Sequence, residues 1–136
     1  MRYLGVDYGL RKIGLAFGDS ETRFAVPGEV VEVVGAAPRG RPVELVKNII
    51  QEEGIDEIVV GVPLGVSDHS SEQLELTRAF IADLKKVINL PVHEMDERYT
   101  SGEARRLQKE YGAQADEDAL AAMLILQNYL DELVKH

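Results

Sequence analysis

The sequence predicts an α/β fold, a mixed five-stranded sheet in which three antiparallel meander strands are followed by two strands reached through helical crossovers, all flanked by helices. Three observations lead there. The first quarter of the chain reads as strands punctuated by glycine and proline, and the remainder alternates amphipathic helical stretches with short apolar runs. With 136 residues and no cysteine, the chain suits a single domain over 1–136 held by an ordinary hydrophobic core, with no disulfide or thiolate metal site.

Residues 2–8 and 12–18 alternate as two strands around a tight turn at Gly9, and 24–34, "FAVPGEVVEVV", form a third strand interrupted near Pro27 and Gly28. After "GAAPRGR", Pro42 opens a helix with Val43, Val46, Ile49 and Ile50 on one face and Gly54 as its stop. "DEIVVGVPL" is a continuous apolar run of the kind buried on both faces of a sheet. Ser70 and Gln73 have capping-box spacing for a second helix carrying Leu74, Thr77, Phe80, Ile81 and Leu84, which ends near Asn89 and Pro91. "PVHEMDE" makes the fifth strand. Thr100 and Glu103 cap a short helix that stops at Gly112, and Asp116 starts a final long one, "EDALAAMLILQNYLDELV".

Charge narrows the function. With 24 acidic against 15 basic residues the net is -9, the opposite of a tight, non-specific nucleic-acid binder, so any phosphate contact must be local. Basic clusters stand at Arg11/Lys12, at Arg39/Arg41, and at Arg98 with Arg105, Arg106 and Lys109. No apolar run approaches the roughly 20 residues of a membrane span, and no signal-peptide pattern opens the chain, so the expected location is the cytoplasm, away from membranes.

Asp7 poses the central question, because it interrupts an apolar strand just before a glycine turn. A carboxylate withdrawn from water needs a metal, a basic partner or a hydrogen-bonding role. Ligands in such sheets bind beyond the strand ends, and Asp7, the pair Asp96/Glu97 and Asp118 all fall near predicted element ends. If those ends share one edge, the carboxylates converge, and an oxygen-only donor set selects hard cations such as Mg²⁺ or Mn²⁺. Each residue also has a plainer role: Asp7 can bond turn amides, Asp96 and Glu97 can pair with Arg98, and Asp118 suits a helix N-terminus whatever the function.

Four segments, "GVDYGLRKIGLA", "IVVGVPLG", "MDERYTSGEA" and "DEDALAAMLILQNYL", resemble in order and spacing the signatures of the YqgF/RuvX family. Its members are described as candidate Holliday-junction resolvases and candidate pre-16S ribosomal RNA nucleases with an RNase H-like fold. The resemblance implies a metal-dependent endonuclease that uses water as nucleophile and leaves a 5′-phosphate and a 3′-hydroxyl. Asp7, Asp96, Glu97 and Asp118 fall on the family's catalytic positions, and Asp7, Asp96 and Asp118 become the expected ligands of two Mg²⁺ or Mn²⁺ ions. Strand alternation sends Asp96 and Glu97 to opposite faces, so one of the two is expected in the site. Arg11, Lys12, Arg98 and Thr100 are the candidates for touching substrate, although Thr100 equally suits a helix cap.

The chain departs from related resolvases at Gly61, where those enzymes carry a strand-four glutamate, and before Asp118, where Ala115, Asp116 and Glu117 replace a common basic residue. Substrate stays open between pre-rRNA and branched DNA, and assembly between a monomer and a homodimer. Two other readings compete. A non-catalytic nucleic-acid or ribosome-assembly module would fit the acidic charge. A nucleotide phosphotransferase would fit the likeness of "DYGLRKIG" to the phosphate loop of actin and sugar-kinase folds, but a second lobe has no room in this length. His69 and His93 read as a solvated loop residue and a strand residue, respectively.

Overall fold

The computed structural model describes residues 1–33, 41–64, 68–97, 102–112 and 116–134, with the side chains of 41, 68–71 and 102–105 outside the description. The elements run β1 (Arg2–Tyr8), β2 (Lys12–Asp19), β3 (Ala25–Glu32), α1 (Arg41–Glu53), β4 (Glu57–Val62), α2 (Asp68–Val87), β5 (Val92–Asp96), α3 (Gly102–Tyr111) and α4 (Glu117–Val134). This is the predicted order. They build one five-stranded sheet in the order β3-β2-β1-β4-β5. β1 pairs antiparallel with β2, and β2 with β3, whereas β1, β4 and β5 run parallel.

Alternation along the strands divides the core in two. Leu4, Val6, Ile13, Leu15, Ile58, Val60 and Val62 point to the face covered by α1 and α2, where they meet Val46, Ile50, Phe80 and Leu84. Tyr3, Ala16 and Val59 point to the other face and pack on Ala122, Met123, Leu126 and Leu130 of α4, with Leu107 of α3. β4 is buried along five of its six residues, as expected for a central strand covered on both sides.

Local punctuation works largely as the residue types require. Gly54 ends α1 with a left-handed φ of 63°, a conformation that glycine adopts without steric cost. The expected break in β3 is a bulge: Gly14 faces Val30 but Ala16 faces Pro27, so β3 carries one extra residue around Gly28 and the strand continues. α2 begins at Asp68, two residues before the predicted cap at Ser70. Gln73 is therefore inside the helix, and its amide donates to the Tyr8 carbonyl at 2.8 Å, a tertiary bond in place of a capping box. The Thr100 cap lies outside the described residues.

Candidate active site

Because β1, β4 and β5 are parallel, their C-terminal ends share one edge of the sheet. Register decides which side chains meet there. Val6 pairs with Val60, and Gly61 with Met95, so Asp7 shares its face with Gly61, Met95 and, two residues on, Glu97. Asp96 pairs with Val62 and points to the opposite face, toward α1 and α2. The strand pairing extends to Glu97, whose amide donates to the Val62 carbonyl at 3.1 Å.

The third carboxylate arrives with α4. Asp116 caps that helix, accepting from the Asp118 amide at 2.8 Å, and its carbonyl accepts from Leu120. Asp118 therefore sits in the first turn, where the helix dipole favours negative charge. Two glycines let the helix start come this close. Gly14, opposite Asp7 in β2, lies directly beneath the Asp118 carbonyl, and a methyl group there would overlap it. Gly61 leaves the space taken by the Ile125 side chain, and a Cβ at Gly61 would also come within 3.0 Å of Glu97 Cγ.

The electrostatics follow from this crowding. Burial is the main cause that raises the Asp7 pKa from 3.8 to about 8, reinforced by a hydrogen bond and charge repulsion from Glu97 and by the charge of Asp118. Two carboxyl groups can share a hydrogen bond only if one of them holds a proton. Among the described residues no three His, Cys, Asp or Glu side chains form a ready-made cation shell. Burial and the two neighbouring acids thus favour the protonated form of Asp7.

The RuvX family model, described as "Holliday junction resolvase", matches residues 1–132. The chain belongs to the RuvX family. A Koribacter versatilis protein named "Putative pre-16S rRNA nuclease" is 36% identical over 135 residues, covering 96% of this chain and 86% of its own. Its namesake in Chloroflexus aurantiacus is 34% identical over 133 residues, covering 94% and 85%. Among solved structures, Thermus thermophilus RuvC in complex with a Holliday junction superposes with a TM-score of 0.68 at 15% identity, over 98% of this chain and 96% of that one. Fowlpox virus resolvase with its junction DNA gives 0.59 at 11% identity, over 98% and 99%. These likenesses establish the RNase H-like fold.

Within this RuvX-family chain, the sheet brings together Asp7, Glu97 and Asp118 and leaves Asp96 outside the group. Arg11 and Lys12 are exposed at the β1–β2 turn on the same edge. Arg98 and Thr100 lie outside the described residues, as does the side chain of His69. Arg106 points elsewhere: it pairs with Glu110 at 3.3 Å and stacks over Phe24, just before β3 at the opposite edge. His93 also belongs to that opposite edge, hydrogen-bonded to Glu57 at 2.7 Å. Gly14 and Gln73 are site-building residues that motif reasoning passes over. A glycine inside a strand was the available signal for the first, since it marks a close approach of another backbone.

Proposed function

We propose that this chain is a divalent-cation-dependent endonuclease that hydrolyses phosphodiester bonds of structured nucleic acid, acting in the cytoplasm on the 5′ end of pre-16S rRNA. The observation that carries the reading is Asp7, a half-buried carboxylate whose neighbours among the described residues, Glu97 and Asp118, are acids like itself. A purely structural acid would have a basic or amide partner. An all-oxygen donor set that raises its own proton affinity suits hard divalent cations, and Asp7, Glu97 and Asp118, which form no ready-made shell, would have to draw in around the ions to hold them. Bound there, such ions would neutralise the carboxylates and lend Lewis acidity to the hydrolysis.

The protein's own part is positioning. β1 and β5 hold Asp7 and Glu97 on rigid strand ends, and the Asp116 cap holds the first turn of α4 with Asp118. Arg11 and Lys12 offer a local cationic contact for the phosphate backbone, which an overall charge of -9 makes necessary. The pre-16S assignment rests on the names of the relatives. A second reading, resolution of four-way DNA junctions, is favoured by the description of the family model, and the twofold symmetry of such a substrate would call for a homodimer where RNA processing needs only a monomer.

Purified protein with Mg²⁺ or Mn²⁺ is expected to cut a pre-16S rRNA fragment, to lose activity in excess EDTA, and to lose it by about a thousandfold or more in Asp7→Asn. Efficient cutting of a four-way junction and not the RNA would select the second reading. Salt-sensitive binding with no cleavage of either would select a non-catalytic module.

A further inference from the structure

One exposed apolar side chain stands beside the carboxylate edge without a structural reason. Leu10 is 60% exposed at the tip of the β1–β2 turn, and a lone surface leucine would ordinarily need no explanation. Its setting sets it apart. The turn is braced on three sides. Tyr8 pairs with Ile13 across the hairpin. The Val33 amide donates to the Arg11 carbonyl at 2.7 Å, and Gln73 donates to the Tyr8 carbonyl at 2.8 Å. Gly9 lies so close to the Lys12 carbonyl that a Cβ there would stand 2.6 Å from it. The chain folds back at the tightest available point, with its flanks tied to β3 and α2.

Leu10 is thus presented outward on a rigid support, and the next two residues, Arg11 and Lys12, are exposed cations. Two residues, Tyr8 and Gly9, separate it from Asp7, a reach of at most about 11 Å, or roughly three steps along the axis of a duplex whose base pairs rise by about 3.4 Å. Apolar side chains presented with flanking cations insert between base steps and unstack them, while the cations hold the adjoining phosphates.

We propose that Leu10 is a wedge that inserts between neighbouring base pairs of the substrate and opens the duplex next to the bond to be cut, with Arg11 and Lys12 holding adjoining phosphates. The proposal deepens the nuclease reading and rests on it for the position of the cut. It makes Leu10 a specificity-determining residue, required where the substrate is paired and dispensable where it is already open.

The test uses the full chain and two substrates of the same sequence around the cut, one fully paired and one pre-opened by mismatches. Leu10→Asn suits an exposed turn and is expected to melt as the parent does. It should cut the paired substrate at least about tenfold more slowly and the pre-opened one within about twofold of the parent rate. Equal loss on both substrates, or no loss on either, would overturn the wedge. A second readout does not need cleavage: with Asp7→Asn protein, 2-aminopurine placed beside the scissile step of an RNA stem and of a DNA junction should brighten on binding, and the Asp7→Asn/Leu10→Asn double variant should abolish the rise. Brightening that depends on Leu10 in a protein that cuts nothing would retire the nuclease reading and keep the wedge; no brightening with either nucleic acid would retire the wedge alone.

Discussion

The two edges of the sheet handle buried acid in opposite ways. At the edge where β4 begins, Glu57 has a partner: the His93 ring nitrogen lies 2.7 Å from its carboxylate, and the Tyr3 hydroxyl, which donates to Met1 Sδ at 3.8 Å, lies near enough to feel its charge. Tyr129 of α4 stacks on His93 at 4.9 Å and meets Tyr3 edge-on at 5.8 Å. Burial, and then Glu57, push the Tyr3 hydroxyl up to about 12 and raise Tyr129 as well, so both phenols stay neutral donors. At the far edge, the described residues that act on Asp7 are Glu97 and Asp118, both acids. One acid is partnered within the fold; the other lies among like charges that, together with burial, favour its protonated form. The contrast teaches that a buried carboxylate is informative through its neighbours, since burial alone occurs at both edges.

The largest way to sharpen the comparison is to separate Glu97 from Asp96. Glu97→Gln is expected to lower cleavage by about a hundredfold or more, and Asp96→Asn, on the other face of the sheet, by no more than about threefold. Equal losses in a steady-state assay would mean that the strand register does not define the site. Next comes Gly14→Ala, which forces the start of α4 off the sheet. A loss of about 1–3 kcal/mol in denaturant melts should accompany weaker Mn²⁺ binding by calorimetry, because Asp118 moves with the helix.

Smaller effects concern the resting edges. The Asp7 carboxyl binds its proton more tightly in the folded chain than in the unfolded one, about 8 against 3.8. In EDTA its contribution to stability is therefore greatest below about pH 4 and is lost as the pH rises through about 8. Asp7→Asn should flatten that decline and be more stable near pH 8 by about 1–2 kcal/mol, a difference readable by thermal melts; a wild-type profile already flat across this window would refute it. Glu57→Gln tests the other edge. It should cost about 1 kcal/mol of stability through the weakened bond to His93 while cleavage stays within about twofold. A collapse of activity would show that the two edges are coupled.

Strand order, crossovers and most helix limits were legible because they depend on local periodicity and on glycine and proline punctuation, as at Gly54 and in the Asp116 start of α4. What depended on pairing between distant segments was not. Nothing within "HEMDE" tells whether Asp96 or Glu97 faces Asp7; that choice is made by the pairing of Gly61 with Met95. Ser70 and Gln73 have the spacing of a cap, yet α2 starts earlier and Gln73 binds the end of β1, a tertiary bond that no local rule anticipates. The Tyr3–Glu57–His93 group was invisible for the same reason, since its members come from three strands. Asp7 and Asp118 became candidates from their places in an apolar strand and at a helix start, and the family resemblance gave them their expected role.

The carboxylate group draws on the first strand and the last helix of the chain, and α4 also roofs the face on which Asp7 lies. An emerging polypeptide that has completed every strand of the sheet still lacks Asp118 and the cover over Asp7 until α4 follows. The proposed centre is therefore expected to be incomplete in any copy that stops short of α4.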